Sequence, residues 1–502
     1  MGGMIRVRDF TAILKPELDP AVDSWIFVTQ QIFEGLVRLD NKLDLVPALA
    51  EYWIVSEDRL KTTFILRRGV RFHHGRELDA QDVKFSFERL LRPETKSPYA
   101  ALFARKVVGA AEFREGKADD VSGFKTPEKF VFEVSWKSPY VSALYLLGMS
   151  FCKVLPRDLV MAQGRNFFAK PSGTGAFQFA SWVRSPHLDI VGARLERNPR
   201  YYGRRAYLDA IEYSPHFTVD HFMDGEVDAM PFLSERLANS GCQVLQGGPY
   251  NSTYLLLSCR NAPFDRAAAR KAVAAALDKD RLAQTGGGSE YVRRPTANFI
   301  PAVLPGFFPL DVPMGADPEA ARQGLAELGY PAEKRFPEVR LYYPGPRTDA
   351  GLNFVRELQR QLAQVGIPVT TKYFSSLSEL HDAKTPFLVL LTWKMDYPDA
   401  ENVLFPLFGA NSEWNLSSGG YSSPEMDRLL EESSAEKSWT RRSDLFRRME
   451  KILFQDMPAV PLYAEEERLA VQSWVRGVRL PPLGFCYIDA KDIWVDRKGP
   501  KP

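Results

Sequence analysis

The sequence predicts an α/β protein of two lobes with a hinged cleft between them. Three observations carry that reading. At 502 residues the chain far exceeds what one hydrophobic core organises, so two or three domains are expected. Near Tyr250 the texture changes from strands and tight turns to helices alternating with strands. Finally, Phe387–Leu391 (FLVLL) is a continuous apolar run, the pattern of a strand covered by helices on both faces.

The elements follow in order. Glu34–Leu39 reads as the end of a helix entering a strand, and Tyr52–Val55 and Thr62–Leu66 alternate as half-buried strands. Turns at Arg68-Gly69 and His74-Gly75 enclose a short return strand. Asp79 then serves as N-cap of a helix, with Asp82 in its first turn. Val83, Phe87, Leu90 and Leu91 give this helix one apolar face, and Pro93 stops it. Phe130–Val134 reads as a strand and Ser142–Leu147 as a helix. The glycine-rich PSGTGAFQF (Pro171–Phe179) reads as a turn, since neither a Lys-Ser/Thr pair nor a helix follows to make a phosphate cradle.

Beyond Tyr250, Asp265 is expected to cap an alanine-rich helix through Leu277. Val339–Tyr342 is a strand, and Val355, Leu358, Leu362 and Val365 share a helix face. Gly366 suits a left-handed C-cap before a strand at Ile367–Lys372. After FLVLL come two amphipathic helices around Pro424–Leu430 and Leu445–Phe454, the first opened by Ser423-Pro424. Val460–Tyr463 reads as a strand crossing back.

Composition narrows the function classes. Charged residues make up 25% of the chain and the formal net charge is only +2, so neither nucleic acid nor an anionic membrane is implied as partner. The purest apolar run is a strand's length, far short of a membrane span. Six His and four Cys show neither H-E-x-x-H nor C-x-x-C, so no dedicated metal site or cofactor is expected. His73-His74 reads as a turn, because adjacent strand residues point to opposite faces. No G-x-S-x-G, P-loop or catalytic Cys/His spacing is present, and the chain reads as a non-enzyme. Cys242 and Cys259 flank a short strand–loop–strand segment and could pair in an oxidising compartment; four buried free thiols is the alternative.

The end of the FLVLL strand is the candidate ligand edge, because ligands of open α/β sheets bind beyond the carboxyl ends of parallel strands. Trp393, Asp396 and Tyr397 lie there, with a carboxylate to hold an ammonium group and two aromatics to wall it. Asp399 reads as the N-cap of a following helix rather than a ligand group.

Several motifs resemble one family. EGLVRLD followed by LVPALAEYW, then "GV-x-FHxG", "LxAxDV" and "FSxERLL" within Thr63–Leu91, PSGTGAF with Ala176 where the family has proline, Asn198–Tyr202, Leu208–Glu212, Asp224–Asp228 and NAPFDRAAARKAVAAALDKDRL occur in its order. The chain is thus similar to the solute-binding proteins of peptide and nickel ABC importers, extracellular solute-binding protein family 5. The resemblance implies the class II periplasmic-binding-protein-like fold of the large, three-subdomain type. Its lobe I core would comprise 1–38, 172–247 and 467–502, with an inserted subdomain at 39–171 and lobe II at 248–466.

The implied function is an extracytoplasmic receptor that captures a small solute, by default a peptide, through hinge closure and delivers it to the permease subunits of an ABC importer. It would act as a monomer, in the periplasm or cell envelope. Met1–Phe10 lacks an apolar leader, so either the chain works in the cytoplasm or Met1-Gly2-Gly3 replaces a removed export signal; the resemblance favours the second. The resemblance also implies that Asp396 pairs with a peptide α-amino group and that Arg347, in the loop Pro344–Thr348, receives its carboxylate. The segment Tyr250–Ser258, with Tyr254, would meet the ligand's main chain. Other readings remain open: the ligand-sensing domain of a cytoplasmic transcription regulator, or the same receptor role for a metal chelate or oligosaccharide.

Overall fold

The computed structural model describes residues 2–8, 16–22, 25–231, 234–285, 291–304, 307–309, 315–344, 349–374, 377–380 and 384–496. The chain divides into two compact units, Met1–Gly247 with Arg468–Pro502, and Gly248–Glu467. It therefore passes from one to the other at 247/248 and again at 467/468.

The first unit carries two main sheets. In the larger, the strands Phe177–Arg184, Ile190–Arg197, Ala210–Ser214, Met4–Arg8 and Ala229–Met230 lie in that order, followed by Arg468–Val471 and Gln243–Gln246. Met4–Arg8 runs parallel to both its neighbours, and the remaining pairings are antiparallel. Its core holds Trp25, Phe27, Val28, Ile32, Phe177, Leu195 and Ile211. The smaller sheet is an antiparallel set, Ala50–Val55, Lys61–Leu66, Val131–Ser135 and Phe124–Glu128.

The helix Ala80–Leu91 covers the smaller sheet. Asp79 and Asp82 close a capping box at its start, as their spacing predicts, satisfying backbone N–H groups that the first turn leaves unpaired. Phe87, on its apolar face, meets Phe103, Phe124 and Phe132 at centroid distances of 5.8, 5.8 and 5.6 Å. Pro93 follows the helix and opens a short 3₁₀ turn.

The second unit is built on one mixed sheet. Val369–Phe374, Val339–Pro344 and Phe387–Lys394 run parallel in that order; Asn251–Leu257 then pairs antiparallel, and Ala459–Val471 antiparallel to it. Tyr291–Pro295 adds to the far side of Ala459–Val471, which is the returning strand expected around Val460, extended at its C-terminal end. The helix Asp349–Gln364 packs with Leu358 and Leu362 fully buried, and Gly366 takes φ +89°, the left-handed cap its position predicts. Ser423 caps the helix Pro424–Ala435 by accepting from the Met426 N–H.

Two expectations are corrected. The alanine-rich helix spans Ala267–Ala276 and starts from Arg266 with no side-chain cap, so Asp265 is not its N-cap; burial of Ala269, Ala272, Val273 and Ala276 holds it instead. Cys242 and Cys259 do not pair. All four cysteines are free thiols. Cys242 Sγ donates to the Leu237 carbonyl in the first unit, and Cys259 Sγ to that of Leu257 in the second. Among the described residues, no helix is long and apolar enough to cross a membrane.

Candidate functional site

In the second unit, strand pairing locates an open edge. Asn251–Leu257 has both edges occupied, by Leu388–Lys394 on one side and Ala459–Glu465 on the other. Its main chain has no free ladder to offer, so the expected contact of Tyr250–Ser258 with a ligand's main chain is corrected. Tyr254 is a core residue: it is fully buried and its hydroxyl donates to the Phe299 carbonyl at 2.5 Å.

The strand Phe387–Lys394 is different. Val339–Pro344 pairs with it only through Phe387, Leu388 and Val389. From Leu390 to Lys394, its second edge meets no strand among the described residues, and the buried pattern gives way to partial exposure at the same point. This is the end of FLVLL that the sequence singled out.

Beyond that edge the chain turns tightly and is well anchored. The Asp396 N–H donates to Asn402 Oδ1 at 2.9 Å, and Asn402 Nδ2 donates back to Asp396 Oδ2 at 3.4 Å. Asp396 itself stays partly exposed. Tyr397 is buried, and Trp393 meets Trp414 edge-on at 5.4 Å. The Trp393 Nε1–H is buried with no hydrogen-bond partner. Asp399 accepts from the Glu401 N–H at 2.8 Å at the start of the helix Glu401–Phe408. It also receives both ends of the Arg442 guanidinium, Nη2 to Oδ1 at 2.9 Å and Nη1 to Oδ2. Arg347 lies outside the described residues.

One polar row escaped the sequence reading. Arg293, Glu465, Asn251 and Lys394 are register partners across four neighbouring strands, which places them on one face of the sheet. Arg293 Nε donates to Glu465 at 3.0 Å, and Lys394 Nζ to the buried Glu467 at 3.1 Å. Burial pushes the Glu465 carboxyl upward while Arg293 opposes the shift. The run Glu465-Glu466-Glu467 inside a strand was the available signal, since buried carboxylates require cations nearby.

In the first unit, a cavity of about 90 Å³ is lined by Gln30, Glu34, Arg38, Lys153, Tyr201 and Asp489, among others. Glu34 belongs to the EGLVRLD motif. Its Oε1 accepts from the Tyr201 and Tyr202 hydroxyls at 2.8 and 3.0 Å, and its Oε2 from Thr174 at 2.9 Å. Burial raises its carboxyl above the usual range despite those bonds. Thr174 comes from the PSGTG turn, which lies directly against the end of the helix Ile26–Ile32. A Cβ at Gly173 would sit 2.0 Å from the Ile32 carbonyl oxygen, and one at Gly175 2.3 Å from that of Gln31. The glycines are there for close approach, not for phosphate.

The His73-His74 turn is tied to the same loop. The Gly173 N–H donates to His73 Nδ1 at 3.1 Å, so the proton sits on Nε2, which donates to the Gly175 carbonyl at 3.1 Å. Burial lowers His73 to about 4 from the ordinary 6.5. As pH falls, the unfolded chain therefore takes up the proton first. The stability tied to neutral His73 is fully present above about pH 6.5 and is lost as pH falls to about 4. This is up to about 3 kcal/mol. Urea unfolding of His73→Gln across that window should show a flatter pH dependence than the wild type; parallel curves would remove His73 as the cause. Among the described residues, no group of three or more His, Cys, Asp or Glu is placed to hold a metal ion.

Comparison with known proteins agrees with this architecture. The model of bacterial extracellular solute-binding proteins, family 5, matches residues 44–415. Heme-binding protein A of Haemophilus influenzae is 26% identical over 494 residues, covering 91% of this chain and 86% of that protein. The periplasmic oligopeptide-binding protein OppA of Salmonella typhimurium is 25% identical, covering 93% and 88%. In structure, Haemophilus influenzae OppA in complex with the peptide RPPGFSPFR aligns with a TM-score of 0.83 at 22% identity, over 98% of this chain and 99% of that one.

Proposed function

This chain belongs to the bacterial extracellular solute-binding proteins of family 5, and we propose that it captures a peptide in the periplasm or cell envelope, closes on it as a hinge, and hands it to the permease of an ABC importer. The observation that carries the peptide is the edge of the Phe387–Lys394 strand beyond Val389, which pairs with no strand among the described residues. An extended peptide can add to such an edge by main-chain hydrogen bonds that read no particular side chain. Asp396 stands two residues past the strand's end, where a carboxylate would meet the peptide's α-amino group. The names of the relatives support a solute-binding role, with oligopeptide and heme both among their ligands. Nothing in this role calls for chemistry on the ligand.

Calorimetry against a library of short peptides, with the corresponding free amino acids as controls, tests the reading. Saturable, stoichiometric binding of peptides but not of single amino acids is the expected result. A folded protein that binds no member of the library would overturn the peptide assignment and redirect the search to other solutes.

A further inference from the structure

The second unit leaves an indole at its surface beside the open strand edge. Trp393, near the end of Phe387–Lys394, is only partly buried, and its ring meets that of Trp414 at 88°. Trp414, on the short helix Glu413–Ser418, is 37% exposed. Its backbone is nevertheless held in place. The next residue, Asn415, is buried and donates through Nδ2 to the Gly409 and Tyr421 carbonyls at 3.0 and 2.7 Å, while its Oδ1 accepts from the Tyr421 N–H at 2.9 Å. The exposed indole is thus presented from a fixed frame.

That frame lies toward the open edge. The helix Glu413–Ser418 packs against the 3₁₀ turn Leu377–Leu380. This turn follows Val369–Phe374, the outermost strand on the same side of Phe387–Lys394 as Val339–Pro344. Side chains alternate between faces along a strand, so a solute main chain added beyond Val389 would set one side chain beside Trp393, on its face of the sheet. Cross-strand neighbours of this kind have Cβ atoms about 4.5–5.5 Å apart, close enough for ring contact. With the solute's α-amino group at Asp396, three residues past Trp393, that side chain belongs to one of its first three residues.

The ring pair is shaped for a third ring. No hydrogen bond fixes the Trp393 indole, whose Nε1–H has no partner, so packing alone orients it and Trp414 contributes to that packing. Two rings set edge to face leave a corner with apolar walls, which another aromatic ring fills by offset or edge-on contact. A methyl group at the same place would leave most of the Trp414 face in water.

We propose that Trp393 and Trp414 form a side-chain subsite that gives this receptor a preference for solutes carrying an aromatic ring, with Trp414 as the specificity-determining residue. The inference rests on the peptide-capture reading and deepens it.

The test uses the full chain and five probes: Ala-Ala-Ala, its single-phenylalanine forms Phe-Ala-Ala, Ala-Phe-Ala and Ala-Ala-Phe, and phenylpropionate, an aromatic solute with no peptide bond. Calorimetry should show one phenylalanine form binding roughly tenfold or more tighter than Ala-Ala-Ala. That gain should vanish in Trp414→Leu, which stays apolar but lacks the ring, and should largely persist in Trp414→Phe. Binding of the tight form to the wild type should also shift tryptophan emission to the blue, a reading that does not depend on how either variant folds. Tripeptides that all bind alike, a gain that survives Trp414→Leu, or unchanged emission on binding would each overturn the subsite while leaving the peptide reading intact. If no tripeptide binds but phenylpropionate does, saturably and only with a ring at position 414, the subsite stands and the peptide reading falls. Absence of binding by all five probes overturns the subsite.

Discussion

Replacing Asp399 by asparagine should destabilise the second unit by about 3–5 kcal/mol, lowering its thermal midpoint by roughly 10 °C. The reason is electrostatic. Asp399 is 5% exposed and Arg442 2%, and the two meet through paired hydrogen bonds. An asparagine can still accept from the Glu401 N–H, so the local turn is preserved, but the buried Arg442 guanidinium loses the carboxylate it is paired with and keeps only the weaker attraction of Glu401. Arg442 also donates Nε–H to the Ser433 carbonyl, which ties the helix Trp439–Asp456 to the end of Pro424–Ala435. Calorimetric melting of Asp399→Asn checks the size of the effect. Combining Asp399→Leu with Arg442→Met should recover much of the loss, because apolar residues of similar volume often replace a buried ion pair at little cost. Glu432→Gln, which removes an exposed partner of Arg428, should not shift the midpoint measurably. A small effect for Asp399→Asn would mean that water reaches the guanidinium.

The second large effect concerns Asp396. If it anchors the ligand's α-amino group, Asp396→Asn should weaken peptide binding by roughly two to three powers of ten, the cost of leaving one member of a desolvated pair uncompensated. The variant should fold normally, since the Asp396 backbone N–H still donates to Asn402 and an asparagine oxygen at 396 can still accept from Asn402 Nδ2. N-acetylation of the peptide should cost the wild type a similar amount and the variant little more, because both changes break the same interaction. Calorimetry on the four combinations closes the cycle. If peptides bind tightly and neither change matters, the amino group is held elsewhere.

Local signals were legible from the sequence wherever one residue's chemistry decides the structure. Asp79 and Asp82 cap their helix, Gly366 ends another, and Ser423 opens a third, because each satisfies backbone groups a few residues away. The run FLVLL was readable as a strand because an apolar pattern is short-range, and its first three residues are buried. The motifs were also sufficient to place the chain in its family.

What only the tertiary structure decided is which partner each group meets across long stretches of chain. Tyr254 could have faced a ligand, but the pairing of its strand on both edges and the Phe299 carbonyl made it core. The open edge moved to Leu390–Lys394, because Val339–Pro344 stops pairing at Val389. Asp399, read as the N-cap of the following helix, is not its cap, since Ala400 holds that position; it is the counterion of Arg442, forty-three residues away. Glu34 and Lys153, far apart in the chain and silent in any local pattern, line one cavity with Arg38. A side chain's hydrogen bonds and its burial depend on groups brought together by packing, and no periodicity along the chain records them.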